Sequence, residues 1–192
     1  MLDKNQLNER KKIIRSEISR RNNELDKAYT DMADEKIKDY ILNSKEYINS
    51  NIIFCFVSSK NEVNTIPIIE DALRRGKKIG VPRCIGKGTM EVYNINSLDD
   101  LEVGKYNILE PKEYCPRMDP KELQMTIVPC VTCNYKGHRL GHGGGYYDRY
   151  LKDLKAKKVI ICRDKITYDD IPLDEHDIQM NILITEKGIF EI

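Results

Sequence analysis

Residues 137–151 read GHRLGHGGGYYDRYL and give the clearest indication of the fold. Four glycines fall within five positions of this stretch: Gly141, Gly143, Gly144 and Gly145. Glycine adopts backbone angles that other residues avoid, and it lets a ligand approach the main chain closely. An apolar, strand-like run at residues 125–129 precedes the glycines, and a helix-like segment at residues 146–155 follows them. The stretch therefore predicts a strand, a glycine loop and a helix in succession.

A glycine loop that leads into a helix is a common site for anions, most often phosphate. The loop presents unpaired N–H groups and lies at the positive end of the helix dipole. Arg139 and His142 add hydrogen-bond donors, and Asp148 places a carboxylate in the first helical turn, where it can hold Mg²⁺. The alternative is a plain flexible turn, in which Asp148 only complements the dipole by about 0.3–1 kcal/mol. The arginine, the two tyrosines and the acid favour the ligand-binding interpretation.

The loop matches neither of the two common glycine motifs for nucleotides. A G-x-G-x-x-G fingerprint that starts at Gly141 needs glycine at position 146, where Tyr146 stands. A Walker A loop needs Gly-Lys-Ser or Gly-Lys-Thr, and neither triplet occurs in the chain. A nucleotide bound here is therefore held by a different kind of loop.

Composition narrows the class of protein. The chain has 192 residues, is 40% hydrophobic and carries a net charge of +1. We expect one domain over residues 1–192, and a charge this close to zero argues against a nucleic-acid partner. No apolar run approaches the ~20 residues of a membrane span, and the N-terminus has no apolar signal core. We therefore expect no membrane partner and a cytoplasmic location.

The six cysteines predict reduced thiols rather than disulfides. Several lie in apolar, strand-like runs, as Cys55 does in IIFCFV, which is typical of buried free cysteines. Cys130 and Cys133 form one C-x-x-C pair, whereas a zinc site needs more ligands at suitable spacing. His138 and His142 are close in sequence, so a metal or redox role stays open. The purely structural role of the pair is favoured.

Strand-like and helix-like patterns alternate along the rest of the chain. Apolar residues at helical spacing predict helices at residues 5–25, 30–42 and 65–75. Apolar, β-rich runs predict strands at residues 52–57, 78–82, 90–95, 125–129, 158–162 and 181–185. Polar or proline-containing segments predict connections at residues 43–51 and 98–124. This alternation predicts an α/β fold with a mainly parallel sheet between layers of helices.

Charged residues outside the glycine loop supply further candidates. Lys11 and Arg15 are one turn apart along the edge of the apolar stripe of the first helix. Glu62 lies in a polar loop after the strand at residues 52–57, and Arg83 follows the next strand. Ligands of open α/β sheets bind at the carboxyl ends of strands, so we expect these loops to converge with the glycine loop. The alternative for each residue is an ordinary solvated charge.

At residues 139–151 the sequence closely resembles the glycine-loop signature of the 5-formyltetrahydrofolate cyclo-ligases, also called 5,10-methenyltetrahydrofolate synthetases. The resemblance covers nearly the whole chain. Shorter elements that fit the family in order are K-x-x-x-R at residues 11–15, NEVNT at 61–65, VPR at 81–83, an aromatic-x-I-x-E-P element at 106–111 and an acidic loop at 174–177.

The resemblance implies a three-layer α/β/α sandwich with a mainly parallel sheet. It implies a monomer or weak dimer that binds ATP and 5-formyltetrahydrofolate and needs Mg²⁺. The reaction implied is conversion to 5,10-methenyltetrahydrofolate with release of ADP and phosphate, by phosphorylation of the formyl oxygen and attack of N10. The alternatives are a non-catalytic nucleotide- or folate-binding protein of the same fold, and another enzyme on a related sandwich.

The resemblance also implies roles for individual residues. The residues implied in catalysis are Lys11, Arg15 and Arg139. The same three residues would bind ATP together with Leu140, Gly141, His142, Gly143, Gly144, Gly145, Tyr146 and Tyr147. The folate would contact Val57, Glu62, Tyr106, His142, Gly143, Gly144, Gly145 and Tyr146. The carboxylates implied as magnesium ligands are Asp148 and Asp177.

Overall fold

The fold is built around one seven-stranded sheet, seen in a computed structural model that describes residues 3–192 except for the side chain of Tyr106. The α-helices are α1 Lys4–Asn23, α2 Lys27–Asn43, α3 Lys45–Asn49, α4 Ile66–Arg74 and α5 Tyr146–Leu151. The strands are β1 Ile52–Cys55, β2 Lys78–Gly86, β3 Thr89–Ile95, β4 Leu101–Val103, β5 Leu109–Pro111, β6 Met125–Val128, β7 Thr132–Cys133, β8 Arg139–Leu140, β9 Lys157–Ile161, β10 Ile182–Thr185 and β11 Gly188–Glu191.

The large sheet has the strand order β11-β10-β9-β6-β1-β2-β3. Its five inner strands run parallel, and the two edge strands β11 and β3 are antiparallel to their neighbours. The parallel strands are nearly continuous runs of apolar residues because helices cover both of their faces. The mainly parallel sheet predicted from the sequence is therefore confirmed.

Successive residues of β1 point to two separate apolar layers. Ile53 packs in a cluster with residues of α2, α3 and α4, whereas Phe54 packs with Ile14 and Ile18 of α1 and with Leu151 of α5. Side chains alternate between the faces of a strand, so the two helical layers lie on opposite sides of the sheet. This arrangement is the predicted three-layer α/β/α sandwich.

The helices on the α2 side begin and end differently from the prediction. α2 starts at Lys27, before residue 30, because the carboxylate of Asp26 accepts a hydrogen bond from the Tyr29 N–H at 2.7 Å. The expected connection at residues 43–51 contains the short helix α3. Tyr47 of α3 is fully buried and donates its hydroxyl to Asp71 at 2.9 Å, so packing stabilises a helix too short for a sequence pattern.

The strand prediction was wrong at Arg83, which does not follow a strand. β2 continues past Pro82 to Gly86 and pairs with β3 in an antiparallel hairpin, so Arg83 lies inside a strand. The predicted strand ends at Pro82, but a proline is tolerated within a strand where its missing N–H donor is not needed. The guanidinium of Arg83 instead forms a long ion pair of 3.4 Å with Glu113.

Further strands lie in segments predicted to be irregular. The segment at residues 98–124 contains the hairpin of β4 and β5, and the hairpin of β7 and β8 separates β6 from the glycine loop. α5 ends at Leu151 rather than near residue 155, and β11 follows the last predicted strand. In the stretch from residue 3 to residue 192, no helix combines the length and the apolar character needed to cross a membrane.

Candidate active site

The conformation of the glycine loop depends on the backbone angles of two of its glycines and on contacts of Arg149. Gly143 and Gly145 have φ angles of 96° and 66°, which explains glycine at these two positions. Arg149 of α5 reaches back and donates Nη2 to the carbonyl of Gly144 and Nε, at 2.6 Å, to the carbonyl of Gly88 in the β2–β3 turn. The loop is therefore tied to the edge hairpin of the sheet.

The first helix also docks on the glycine loop. Arg15 of α1 donates Nε to the carbonyl of Gly141 at 2.8 Å, and its Nη2 lies 3.3 Å from the position that a Cβ on Gly143 would take. Burial lowers the pKa of Arg15, an effect that nearby Asp177 opposes. His142, Gly143 and Gly144 are exposed, so a ligand can reach this part of the loop.

The short length of α5 changes the argument for anion binding. The predicted helix of ten residues is a helix of six, with Gly145 as its left-handed N-cap. A helix dipole grows with the number of aligned peptides, so its contribution here is small. The groups at this loop that could attract an anion are therefore mainly arginine side chains and loop N–H groups.

Two predicted cations form ion pairs with the two predicted metal ligands. Nζ of Lys11 lies 2.6 Å from Oδ2 of Asp177, and Nη2 of Arg139 lies 2.7 Å from Oδ1 of Asp148. The backbone N–H of Ile178 donates to the same Oδ1 at 3.3 Å, which connects the acidic loop to α5. Residues from α1, β8, α5 and the acidic loop therefore meet in one cluster.

Arg139 is the most buried of these charges, with only 4% of its side chain exposed. Its guanidinium carbon lies 5.7 Å from the ring centroid of Tyr147, and its Nε has no hydrogen-bond partner among the described residues. A buried N–H without a partner costs about 1–3 kcal/mol. An oxygen of a bound ligand would remove this cost.

Glu62 is held by a hydrogen-bonded turn and lies close to Tyr147. Its Oε2 accepts hydrogen bonds from the N–H and the hydroxyl of Ser59, at 2.7 and 2.8 Å. The carboxylate is close enough to Tyr147 that, after burial itself, it is the main influence that raises the pKa of that phenol. Tyr147 also stacks on Phe54, with centroids 6.1 Å apart and an interplanar angle of 10°.

Arg163 holds the Glu62 loop in place and was missed by sequence reasoning. Its Nε and Nη2 form a bidentate pair with Asp34 of α2, at 2.7 and 2.8 Å. The same guanidinium donates to the carbonyls of Asn61 and Glu62 at 3.2 and 2.8 Å. A signal was present, because Arg163 directly follows the predicted strand at residues 158–162, where ligand-site residues of α/β sheets are expected.

A cavity of about 440 Å³ lies where these elements meet. Its wall includes Arg15, Glu62, His142, Cys130 and Arg163. It thus brings together residues predicted for ATP and for folate. A larger cavity of about 790 Å³ lies beside the β2–β3 hairpin, and among the predicted site residues its wall includes Tyr146.

Other predicted residues contribute less to this geometry. Val57 is buried just beyond β1, beneath the Glu62 loop. The backbone of Tyr106 lies in a short 3-10 turn, and its side chain lies outside the described residues. Arg83 lies within β2 and is not part of the ion-pair cluster.

Known proteins match both the sequence and the fold. The model of the 5-formyltetrahydrofolate cyclo-ligase family matches residues 7–186. The chain belongs to the 5-formyltetrahydrofolate cyclo-ligase family. Membership in this family confirms the resemblance predicted from the glycine loop and identifies the cyclo-ligase as an enzyme. The alternative of a non-catalytic binding protein is not favoured.

Alignments with related proteins cover most of the length of this cyclo-ligase. A probable 5-formyltetrahydrofolate cyclo-ligase of Schizosaccharomyces pombe is 32% identical over 155 residues, which cover 72% of this chain and 76% of the yeast protein. The Escherichia coli K12 cyclo-ligase is 29% identical over 150 residues, which cover 75% and 82% of the two chains.

Solved structures agree with the fold of the cyclo-ligase. The NMR structure of Aquifex aeolicus 5,10-methenyltetrahydrofolate synthetase superposes with a TM-score of 0.83 at 29% identity, over 94% of this chain and 92% of that chain. A synthetase from Mycoplasma pneumoniae superposes with a TM-score of 0.74 at 22% identity, over 92% and 98%. The second likeness concerns the fold alone.

Proposed function

We propose that this cyclo-ligase converts 5-formyltetrahydrofolate to 5,10-methenyltetrahydrofolate with Mg-ATP, releasing ADP and phosphate. The family match supports the reaction, and one observation in the site carries the proposal. Arg15 is bonded to the exposed glycine loop in the wall of the same cavity as Glu62. A cation suited to phosphate and an acid suited to a pterin therefore face one space.

The proposed reaction needs activation of a poor leaving group. Transfer of the γ-phosphoryl group to the formyl oxygen gives ADP and an iminium phosphate. N10 of the same folate then attacks the formyl carbon and loses its proton, and phosphate departs with the former formyl oxygen. Such chemistry needs no protein nucleophile, because catalysis consists of positioning and of stabilising charge as it moves.

Three cations of the chain suit the stabilising role. Arg15 contacts the glycine loop, and Lys11 and Arg139 lie in the adjacent ion-pair cluster. We propose that they hold the phosphates of ATP, together with the loop from Leu140 to Tyr147. Among residues 3–192 as described, no group pairs with the Nε of Arg139, and a phosphate oxygen would satisfy it, which supports its part in this role.

We propose that the carboxylates of Asp148 and Asp177 hold a magnesium ion. Each side chain is 23% exposed, and the cations and N–H groups of the cluster contact Oδ1 of Asp148 and Oδ2 of Asp177. Mg²⁺ is commonly held by one or two carboxylates together with waters and substrate phosphates. When bound, the ion neutralises phosphate charge. Competition for the carboxylates would free Lys11 and Arg139 to face ATP.

We assign the folate side of the site to Glu62, Val57, Tyr106 and Tyr146, with the exposed part of the glycine loop. Glu62 would orient the reduced pterin or N10 by hydrogen bonding. Its position supports this role, since Ser59 and Arg163 fix the loop that carries it. The loop residues shared with ATP would place the formyl oxygen beside the γ-phosphate.

A spectrophotometric assay tests the proposal. The purified chain is mixed with 5-formyltetrahydrofolate and Mg-ATP, and the methenyl chromophore is followed, with controls that lack ATP or magnesium. Product in the complete mixture alone, with one ADP per methenyl group, is the expected result. ATP binding without product would refute the reaction and restore the binding-protein alternative. A folate-independent activity would instead indicate another enzyme of the sandwich fold.

We further propose that residues 1–192 act as one catalytic unit, since strands from both halves of the chain form one sheet and pair directly where β1 adjoins β6. The free thiols of all six cysteines support the proposed cytoplasmic location, where thiols stay reduced. The monomeric or weakly dimeric state and the lack of a nucleic-acid partner stay predictions.

A further inference from the structure

Three cysteine side chains meet beside the 440 Å³ cavity, and two of them, Cys130 and Cys162, line its wall. The Sγ atoms of Cys130, Cys133 and Cys162 all lie within 4.8 Å of one another. The first two follow β6 and the third follows β9. These strands are parallel neighbours, with Val128 paired to Ile160, so their carboxyl ends deliver the cysteines to the same place. The C-x-x-C pair thus gains a third sulfur from 29 residues further along the chain.

The backbone around these sulfurs is fixed by hydrogen bonds. Cys133 is paired with Arg139 in the β7–β8 hairpin, and its carbonyl accepts from the N–H of Tyr168 at 2.9 Å. The N–H of Cys162 donates to the carbonyl of Ile184 on β10 at 3.1 Å. The cluster is therefore set by the same sheet that forms the active site, and little ordering is needed to bring the sulfurs together.

The cluster is closed on one side and open on the other. Cys133 and Cys162 are buried, whereas Cys130 is partly exposed. Cys130 and Cys162 both line the cavity, which gives an ion a route from solvent. Arg139 lies close enough to Cys130 to offset negative charge on the cluster.

We propose that Cys130, Cys133 and Cys162 form a site for one thiophilic divalent ion of the Zn²⁺ type, with an open fourth position toward the cavity. Zn–S bonds of about 2.3 Å place tetrahedral sulfurs about 3.8 Å apart, so shifts below about 1 Å complete the site. Soft thiolates favour zinc-like ions over magnesium, which keeps this site chemically separate from Asp148 and Asp177. The inference does not depend on the proposed reaction.

A disulfide between Cys130 and Cys133 is the competing use of the cluster. It would leave the thiol of Cys162 without a function, although the fold presents all three sulfurs together. All three are free thiols in this structure. An ion uses the three sulfurs at once, and it is therefore the better account of their arrangement.

Cadmium titration of the reduced, metal-free protein tests the proposal. We expect a thiolate-to-cadmium charge-transfer band that saturates at one ion per chain and is not displaced by excess Mg²⁺. Changes in outer-shell partners alone weaken metal sites by about 10–100-fold, so Cys162→Ser should weaken binding by more than about 100-fold. Cys84→Ser is the matched control, because Cys84 is a partly exposed thiol outside the cluster, and it should bind as the unaltered chain does.

X-ray absorption of the zinc-loaded, unaltered chain gives a result that needs no variant. Three sulfur neighbours at about 2.3 Å are expected. A shell of oxygen and nitrogen only, or an unsaturable cadmium band, would overturn the site. So would Cys162→Ser with unchanged affinity, or a Cys130–Cys133 disulfide that forms in air while zinc is bound.

Discussion

Asp34→Asn is expected to lower the free energy of unfolding of the cyclo-ligase strongly, although residue 34 lies outside the predicted ligand set. The carboxylate of Asp34 holds both Nε and Nη2 of Arg163. The side chain of Arg163 is 5% exposed and that of Asp34 is 16% exposed, so solvent screens this pair poorly. An amide keeps the shape of the carboxylate but loses its charge and presents an NH₂ group to the guanidinium.

The size of the effect follows from burial. Removal of one partner of a buried ion pair costs about 3–5 kcal/mol, because the other charge is left buried and unpaired. The carbonyls of Asn61 and Glu62 still accept hydrogen bonds from Arg163, which places the expected loss at the lower end, about 3 kcal/mol. With a urea m-value of about 2 kcal/mol per M, the unfolding midpoint should fall by about 1.5 M.

Asp31→Asn provides the matched control for urea unfolding. Asp31 lies on the same helix and pairs with Lys27 at 2.6 Å, but these side chains are 64% and 86% exposed. Exposed pairs contribute about 0.2–1 kcal/mol, so its midpoint should move by less than about 0.5 M. Equal shifts for the two variants, or a loss below about 1 kcal/mol at Asp34, would show that burial does not govern this pair.

If the hydrogen bonds of Arg163 to the carbonyls of Asn61 and Glu62 also position the Glu62 side chain, the Asp34 variant should raise the KM for folate more than that for ATP.

Three further changes test the glycine loop and its charges. Asp148→Ala should abolish magnesium-dependent turnover and also lower the thermal midpoint, because it leaves the buried guanidinium of Arg139 without its carboxylate, and unchanged kinetics would remove Asp148 from the metal site. Arg15→Ala should raise the KM for ATP, and a selective effect on folate would contradict its assignment. Gly143→Ala adds a Cβ at φ 96° only 3.3 Å from Arg15, so it should cost about 1–3 kcal/mol and reduce turnover. Gly76→Ala, at φ 70° with nothing within 4 Å, should carry strain without loss of activity, and equal activity of the two variants would refute a role for Gly143.

The sequence predicted those parts of the protein whose signal is local. Apolar runs identified the parallel strands, and the glycine loop identified the family. The predicted strand end at Pro82 was wrong because the missing N–H of a proline ends a strand only where a neighbour needs that donor. α3 was missed because its stability comes from the burial of Tyr47 and not from a five-residue pattern.

The contacts that close the site join residues far apart in the chain. Asp34 and Arg163 are separated by 129 positions, and Lys11 and Asp177 by 166. Each residue alone resembles an ordinary solvated charge, and only the strand order brings the partners together. Family resemblance proposed Lys11 and Asp177 for the site but could not pair them with each other.

The hydrogen bond from Arg149 to the carbonyl of Gly88 makes the effects of substitutions at these two distant positions depend on each other. A Cβ on Gly88 would lie 1.8 Å from Nη2 of Arg149, and φ at Gly88 is 71°. Substitution there displaces the arginine that also binds the Gly144 carbonyl. Asn tolerates positive φ, yet Gly88→Asn should be harmful alone and better tolerated beside a shorter side chain at 149. Epistasis between a hairpin turn and the glycine loop is thus built into the fold.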